Sequence, residues 1–264
     1  MIRVAAVGDV HAGIDSKGTL RPAFLELPDV ADALLLAGDL TRLGTEHELE
    51  VLLGELDGVN VPRVAVLGNH DYESDRVPAL LKLLEDAGVS VLEGSNDVIA
   101  VGDLTLGIAG TKGFGGGFAG AYGSDFGEPE MKAFIRYTKR LADDLYESLA
   151  ALRTDARIAL LHFSPVKDTL GGERLEIFPF LGSYLLAEAI DRAGADLVIH
   201  GHAHHGVEQG LTPGGIPVRN VALPVIGRAY KLYSLLADAP MTDRGPFDTA
   251  GPSNLDSSRS VSDG

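Results

Sequence analysis

Residues 2–11 read IRVAAVGDVH, residues 33–39 read ALLLAGD and residues 64–71 read VAVLGNHD. In each stretch a short apolar run, of the length of a buried strand, is followed by a glycine and then by Asp, His or Asn. Segments with helical spacing lie between the runs, so the alternation predicts successive βαβ units. In an open α/β sheet, ligand-binding groups collect just beyond the carboxyl ends of the strands. These stretches therefore predict a functional site at one edge of a sheet.

The same succession of apolar run and polar residue returns twice later in the chain. His162 follows the run 158–161, and His202 and His204 follow the run 197–199. Carboxylate oxygens, amide oxygens and imidazole nitrogens are the ligands that two neighbouring divalent ions require. Taken alone, each residue is as well explained by a turn, a helix cap or a buried hydrogen-bonded histidine. Five repetitions of the pattern favour a dinuclear metal centre.

The spacing of apolar residues predicts further helices, a hairpin and closing strands. The predicted helices are 46–56, 78–87, 128–152 and 184–193, the hairpin pairs 98–101 with 104–109, and the closing strands are 218–222 and 231–236. Two stretches resist assignment: 113–127, which is rich in glycine and aromatic residues, and 167–182, which contains an apolar segment at 177–181. The first is an open candidate for a mobile loop near the site or a plain surface excursion, and the apolar segment of the second for a substrate-facing lid, a dimer contact or core filler.

Composition limits the class of protein. The chain has 264 residues, of which 45% are hydrophobic, enough for one large α/β domain over residues 1–238. Residues 239–264 are polar and rich in Ser, Asp, Pro and Gly, which predicts a disordered tail. Cysteine is absent, so disulfides and thiolate metal sites are excluded.

Charge and hydropathy bear on partners and location. The formal net charge is −16, which repels long polyanions and disfavours extended nucleic acid, while small phosphorylated substrates remain compatible with bound metal ions. No apolar run approaches the roughly 20 residues that span a membrane. The first residues enter a strand without a basic segment, so no signal peptide and a cytoplasmic location are expected.

The blocks GDVH, GDLTRLG, GNHD, LHFS and GHAH, spread over residues 4–206, resemble the calcineurin-like metallophosphoesterase superfamily. One such block is a weak signal, but all five occur here in order. The resemblance implies an α/β fold: a four-layer αββα sandwich with two central mixed sheets flanked by helices. It also implies a dinuclear metal centre at one edge of the sheets.

The resemblance further implies which residues hold the metal ions. Asp9, His11, Asp39 and His204 would bind the first ion, and Asp39, Asn69, His162 and His202 the second. Asp39 would then bridge the two ions with its two oxygens. The family recruits a divalent or mixed-valence pair of Mn, Fe or Zn ions, and mixed nitrogen and oxygen ligands do not select among them. His200 lies outside this ligand set and is expected to have a structural or supporting role.

The resemblance also suggests a mechanism. Two ions lower the pKa of a shared water, which attacks the phosphoester in line. His70 would stabilise the transition state or protonate the leaving oxygen, and Asp71 would orient the His70 ring. Ser/Thr protein phosphatases of the family carry an Asp where this chain has Arg42, which disfavours that branch. Arg42 is instead a candidate contact for a phosphate oxygen.

These observations predict a metal-dependent phosphohydrolase, and small phosphodiesters are the favoured substrates. A phosphomonoesterase acting on a nucleotide or sugar phosphate is the alternative among enzymes, and the negative charge places a nuclease third. Some members of the superfamily have lost ligands and serve as protein-interaction scaffolds. Every ligand of the pattern is present here, which favours the enzyme.

Overall fold

Two mixed β-sheets form the centre of the computed structural model, which describes residues 1–236. The strands are β1 (Ile2–Val7), β2 (Ala33–Ala37), β3 (Arg63–Val66), β4 (Val89–Val91), β5 (Ser95–Val101), β6 (Leu104–Thr111), β7 (Gly117–Phe118), β8 (Ala121–Tyr122), β9 (Ala156–Leu161), β10 (Leu197–His200), β11 (Gln209–Leu211), β12 (Pro217–Asn220) and β13 (Lys231–Leu235). The α-helices are α1 (Arg21–Phe24), α2 (Leu27–Val30), α3 (Glu46–Leu56), α4 (Val77–Asp86), α5 (Pro129–Ala151), α6 (Phe178–Leu181), α7 (Tyr184–Ala193) and α8 (Leu223–Ile226). Short 3₁₀ turns occupy Ile14–Ser16, His70–Tyr72, Lys167–Leu170 and Leu175–Ile177.

The strand order brings the carboxyl ends of the central strands together. The first sheet has the order β13-β1-β2-β3-β4, in which β1 to β4 are parallel and β13 is antiparallel. The second has the order β11-β12-β10-β9-β6-β5, with four parallel central strands and an antiparallel strand at each edge. A small hairpin of β7 and β8 lies outside both sheets.

Strand β1 shows why the central strands are apolar at every position. Successive side chains point to opposite faces of a sheet. Ile2, Val4 and Ala6 belong to the core between the two sheets, whereas Ala5 and Val7 pack beneath the helices on the outer face. Both faces of the strand are therefore buried, so its residues are apolar throughout and do not alternate between apolar and polar.

Helices cover the outer face of each sheet. Leu49 of α3 and Leu80 of α4 pack on the first sheet, and Leu145 of α5 and Leu186 of α7 pack on the second. Helix α3 begins with a capping box, in which the Thr45 hydroxyl accepts from the backbone N–H of Glu48 and the Glu48 carboxylate from that of Thr45. The predicted four-layer arrangement of two mixed sheets between helices is confirmed.

The predicted elements occur, with ends displaced by at most three residues. The first of the two unassigned stretches, 113–127, contains the β7–β8 hairpin, and the second, 167–182, contains two 3₁₀ turns and α6. The predicted tail, 239–264, lies outside the described residues. Within the described part, no helix combines the length and the hydropathy that crossing a membrane requires.

Candidate metal centre

Seven side chains meet where the carboxyl ends of five strands converge. Asp9 and His11 follow β1, Asp39 follows β2, Asn69 follows β3, His162 follows β9, and His202 and His204 follow β10. The two sheets are joined here by the backbone N–H of Gly8, which donates to the Val221 carbonyl. The strand-end pattern in the sequence therefore describes one place in the fold.

The first cluster contains Asp9, His11, Asp39 and His204, whose potential ligand atoms all lie within 4.8 Å of one another. His204 Nε2 is 2.8 Å from Asp9 Oδ1 and 3.3 Å from His11 Nε2. His11 Nε2 is 3.7 Å from Asp39 Oδ2. One imidazole nitrogen thus faces a second imidazole nitrogen and carboxylate oxygens, which is a donor set that a cation would satisfy.

The second cluster contains Asp39, His162 and His202, again within 4.8 Å. His162 Nε2 lies 3.4 Å from Asp39 Oδ1 and 3.0 Å from Asn69 Oδ1, so the predicted amide ligand belongs to the same group. The two oxygens of Asp39 face different clusters, Oδ1 the second and Oδ2 the first. This geometry matches a carboxylate that bridges two ions.

Hydrogen bonds behind the clusters orient the imidazole rings. His162 Nδ1 donates to the Ala37 carbonyl at 2.9 Å, which leaves the lone pair of Nε2 directed at Asp39. His202 Nε2 donates to the Phe180 carbonyl at 3.3 Å. Such outer contacts fix the tautomer and direction of a metal-ligating histidine. The residues present therefore fit a dinuclear metal centre.

The backbone is strained at the same place. Among the described non-glycine residues, six have a positive φ, and four of these are Asp9 (55°), His11 (46°), Asp39 (49°) and His202 (69°). Side-chain-bearing residues adopt this left-handed region rarely and at a cost in free energy. The cost is concentrated on predicted ligands, which indicates that the loops are shaped for the site and not for stability.

Glycines make room for the ligands. A Cβ at Gly68 would collide with the Asp39 carboxylate and its backbone nitrogen, and a Cβ at Gly201 would collide with the Asp9 carboxylate. Gly38 lies in the left-handed region at φ 81° directly beneath the His162 ring. The glycines in the GD, GNHD and GHAH blocks are thus needed for close approach.

We expect Gly68→Ala to displace Asp39 and lower the free energy of unfolding by about 1–3 kcal/mol, the usual cost of overpacking. Bound Mn²⁺, measured by elemental analysis after reconstitution, should fall with it. Gly54→Ala is the matched control, because Gly54 lies within α3 with open space around its Cα. It should stabilise the protein by about 0.5–1 kcal/mol. Full metal content in the Gly68 variant would contradict the expectation.

The electrostatics of the first cluster favour opposite charges on neighbouring groups. Burial raises the pKa of Asp9, but the hydrogen bond with His204, the charges of His162 and His204 and the backbone N–H of His202 together outweigh it, so the net pKa lies below its ordinary value. That same hydrogen bond raises the pKa of His204. Burial lowers the pKa of His11 against the pull of Asp39, and burial lowers that of His202 to about 3. Metals bind neutral imidazoles and ionised carboxylates, so the lowered pKa values of His11, His202 and Asp9 suit metal binding, whereas His204 would give up its proton when a metal binds.

His70 lies at the edge of the first cluster and is not one of its members. Its ring packs edge-on against His11 with 4.5 Å between centroids, and Nε2 lies 4.0 Å from Asp39 Oδ2. Nδ1 donates to the Arg42 carbonyl at 2.7 Å. The side chain is 42% exposed, so Nε2 is open to a substrate.

The prediction that Asp71 orients the His70 ring is wrong, because the Arg42 carbonyl does this. Asp71 is buried and accepts from the backbone N–H groups of Leu40, Thr41 and Gly68 at 3.1, 2.9 and 2.8 Å. Its Oδ1 also accepts from the Thr41 hydroxyl at 2.6 Å. Burial raises the pKa of Asp71 in spite of these bonds. Asp71 thus ties the loop after β2 to the loop after β3 and positions Asp39 and Asn69.

His200 is fully buried behind the site and has the structural role expected of it. Nδ1 donates to the Gly201 carbonyl at 2.7 Å, and Nε2 accepts from the Thr169 hydroxyl at 2.8 Å. Burial lowers the pKa of His200 from 6.5 to about 4. The folded state therefore holds the neutral ring.

This shift predicts a pH dependence of stability. The unfolded chain takes up a proton on His200 as the pH falls below 6.5, whereas the folded chain takes it up only near 4. Stability from this group is complete above pH 6.5 and is lost as the pH falls towards 4, by about 1–2 kcal/mol between pH 7 and 5. Urea unfolding of the metal-free wild type and of His200→Gln measures this effect. The free energy of unfolding should fall less between pH 7 and 5 in the variant than in the wild type. Equal declines would contradict this account.

Arg42 and Lys112 differ from what the sequence indicates. The Arg42 guanidinium is exposed and pairs with Asp15 at 2.9 Å instead of standing free for a phosphate. Lys112, which sequence reasoning missed, follows β6 directly and is 4% exposed. Its carbonyl accepts from the backbone N–H groups of His162 and Phe163 at 3.1 and 2.9 Å. Its place after an apolar strand is the same signal that marks the ligands.

Comparison with known proteins agrees with this arrangement. Residues 2–206 match the family described as calcineurin-like phosphoesterase. No protein with a curated description matches the sequence. The phosphopantetheinyl hydrolase PptH of Mycobacterium tuberculosis has a similar structure, with a TM-score of 0.63 and 16% identity over 84% of this chain and 89% of that one.

Two further solved structures are similar. GAP50, the anchor in the inner membrane complex of Plasmodium, has a TM-score of 0.55 and 15% identity over 84% of this chain and 72% of its own. A Staphylococcus aureus protein assigned as a 5′-nucleotidase has a TM-score of 0.53 and 17% identity over 83% of this chain and 48% of its own. At such identities the likeness shows the fold alone.

Proposed function

The chain belongs to the calcineurin-like phosphoesterase family, and from this premise we propose that it is a metal-dependent hydrolase of small phosphoesters. The observation that carries the proposal is the pair of ligand clusters that share Asp39. Every ligand of the pattern lies in or beside these clusters. A scaffold protein has no need of a complete set of ligands held in strained backbone.

Each ligand has a role in the proposed site. Asp9, His11 and His204 would hold one ion, and Asn69, His162 and His202 the other, with Asp39 shared between them. When bound, two such ions supply a nucleophile of lowered pKa and neutralise charge on the phosphoryl oxygens. The donor set accepts Mn, Fe or Zn, and the choice among them follows availability.

His70 is the proposed catalytic residue of the protein itself. The Arg42 carbonyl holds Nδ1 protonated, so Nε2 is the atom that faces the substrate. Nε2 can donate a hydrogen bond to a phosphoryl oxygen or a proton to the leaving oxygen once the ring is protonated. Asp39 Oδ2 lies 4.0 Å from Nε2, which places this nitrogen at the rim of the two clusters.

A small phosphodiester is the proposed substrate class. A diester phosphate carries one negative charge and a monoester up to two, so the diester needs fewer cations around it. Arg42 is already paired with Asp15, and the chain as a whole carries a net charge of −16. The same excess of acidic residues opposes the binding of extended nucleic acid.

The test compares bis(p-nitrophenyl) phosphate with p-nitrophenyl phosphate, using protein stripped of metal and reconstituted with Mn²⁺. The two substrates share a leaving group, so a difference in kcat/KM reports on the ester. Higher kcat/KM for the diester supports the proposal, and higher kcat/KM for the monoester replaces it with a phosphomonoesterase. Absence of turnover with both substrates while two metal ions are bound would favour the scaffold.

A further inference from the structure

Lys112 is a nearly buried cation that the proposed chemistry leaves unused. Its ammonium is surrounded by the rings of Tyr72, Phe114, Phe163 and Tyr137, with Nζ 4.8, 4.9, 5.4 and 5.5 Å from the ring centroids. Rings at these distances attract a cation through their quadrupoles. They offer it no hydrogen-bond acceptor.

The N–H groups of the ammonium have no acceptor from the protein. In the part of the chain that the structure describes, no carboxylate lies within 4.0 Å of Nζ and no acceptor is hydrogen-bonded to it. Among the described residues, Arg63 Nε is the one buried side-chain nitrogen or oxygen that has neither a hydrogen-bond partner nor contact with solvent. Lys112 Nζ also has no partner, so it must retain a small contact with solvent. Burying a charged group without acceptors is costly unless a ligand supplies them.

Lys112 lies close to the candidate metal centre. Phe163, which contacts the ammonium, also packs against His202 with 4.2 Å between ring centroids. Tyr72 belongs to the same 3₁₀ turn as His70. One aromatic ring therefore separates the ammonium from a proposed metal ligand.

We propose that Lys112 is a specificity-determining residue whose ammonium binds the oxygens of a second anionic group on the substrate, a phosphate or a carboxylate, away from the reacting phosphorus. The inference rests on the proposed function, since it takes the reacting phosphorus to lie at the two clusters. It assigns the substrate to compounds with two separate anionic groups.

The neighbouring charges agree with a cationic role. Burial lowers the pKa of Lys112 on balance, and the charges of Glu93 and Asp39 oppose this shift. Glu93 lies beyond ion-pair distance of Nζ and leaves the ammonium N–H groups free, and burial raises the pKa of its carboxyl to about 7, so its charge is complete only above neutral pH. An anion bound at Lys112 would be repelled by Glu93, which gives a second variant that leaves Lys112 in place.

The test uses three non-hydrolysable ligands that share a three-carbon chain: propylphosphonate, 3-phosphonopropionate and propane-1,3-diphosphonate. Their Kd values are measured by calorimetry on the Mn²⁺-loaded protein, with metal content checked afterwards. We expect wild type to bind the two ligands with a second anion at least about tenfold more tightly than propylphosphonate, the effect of one charge-assisted contact. A gain with the diphosphonate alone would assign the second group to a phosphate.

The variants separate recognition from structure. Lys112→Met should abolish the preference for ligands with a second anionic group and leave the Kd of propylphosphonate within about twofold of wild type. Lys112→Arg should retain this preference, and Glu93→Gln should increase it. Lys82→Met is the matched control, because Lys82 is exposed on α4. If Lys112→Met fails to fold, the wild-type comparison and Glu93→Gln still decide.

Three outcomes would overturn the inference. Equal binding of all three ligands by wild type, or an undiminished preference in folded Lys112→Met, would overturn it alone. Failure of all three ligands to bind, together with absence of hydrolysis, would overturn the proposed function and this inference with it. The two kinds of failure are therefore distinguishable.

Discussion

The substitution Asp39→Asn is expected to reduce bound Mn²⁺ in the reconstituted protein to one ion per chain or fewer. Asp39 is the single carboxylate whose two oxygens face both clusters. Its loss removes the charge that two ions would share and leaves the second cluster with neutral side chains only, whereas the first keeps Asp9. Turnover of bis(p-nitrophenyl) phosphate should fall about 10³-fold, because metal clamping contributes several kcal/mol to the transition state.

The experiment measures metal content by elemental analysis and kcat on the same preparation. Asp86→Asn is the matched control, since Asp86 is an exposed carboxylate at the end of α4 that pairs with Lys82. It should leave metal content and kcat unchanged. Full metal occupancy with full turnover in Asp39→Asn would contradict the bridging role.

His70→Ala has the second largest expected effect, and it should separate catalysis from metal binding. The ring lies beside the first cluster, but its Nδ1 is used by the Arg42 carbonyl and its Nε2 is 4.0 Å from Asp39. We expect kcat to fall about 10²–10⁴-fold, the usual range for a general acid, while metal content stays within about 20% of wild type.

His47→Ala is the matched control, because His47 is an exposed histidine of α3. A substrate with a better leaving group needs less protonation, so it should recover part of the lost rate if His70 acts as an acid. Loss of one metal ion from His70→Ala would identify His70 as a ligand instead.

The fold could be predicted because its strands have a simple physical requirement. A strand such as β1 is buried on both faces, so it is apolar throughout and ends abruptly at a glycine and a polar residue. Helix α7 has the predicted ends: the Ser183 hydroxyl caps its first turn, and Gly194 follows its last residue. The stretch 113–127 has no period, and its β7–β8 hairpin depends on tertiary contacts with α6.

The candidate site was predictable as a set of residues but not as a set of contacts. Sequence adjacency suggests that Asp71 supports His70, yet in a 3₁₀ turn consecutive side chains point in different directions. Asp71 therefore reaches Thr41, and a carbonyl of a distant loop orients His70. Lys112 was missed because its four rings come from four separate segments.

Metal dependence of phosphoester hydrolysis tests the central claim most directly. The protein is stripped with a chelator and titrated with Mn²⁺ while bound metal and hydrolysis of bis(p-nitrophenyl) phosphate are followed together. The account predicts no turnover without metal, and activity that rises with occupancy and saturates at two ions per chain. Hydrolysis that persists in the stripped protein, or saturation at two ions without any hydrolysis, would contradict it.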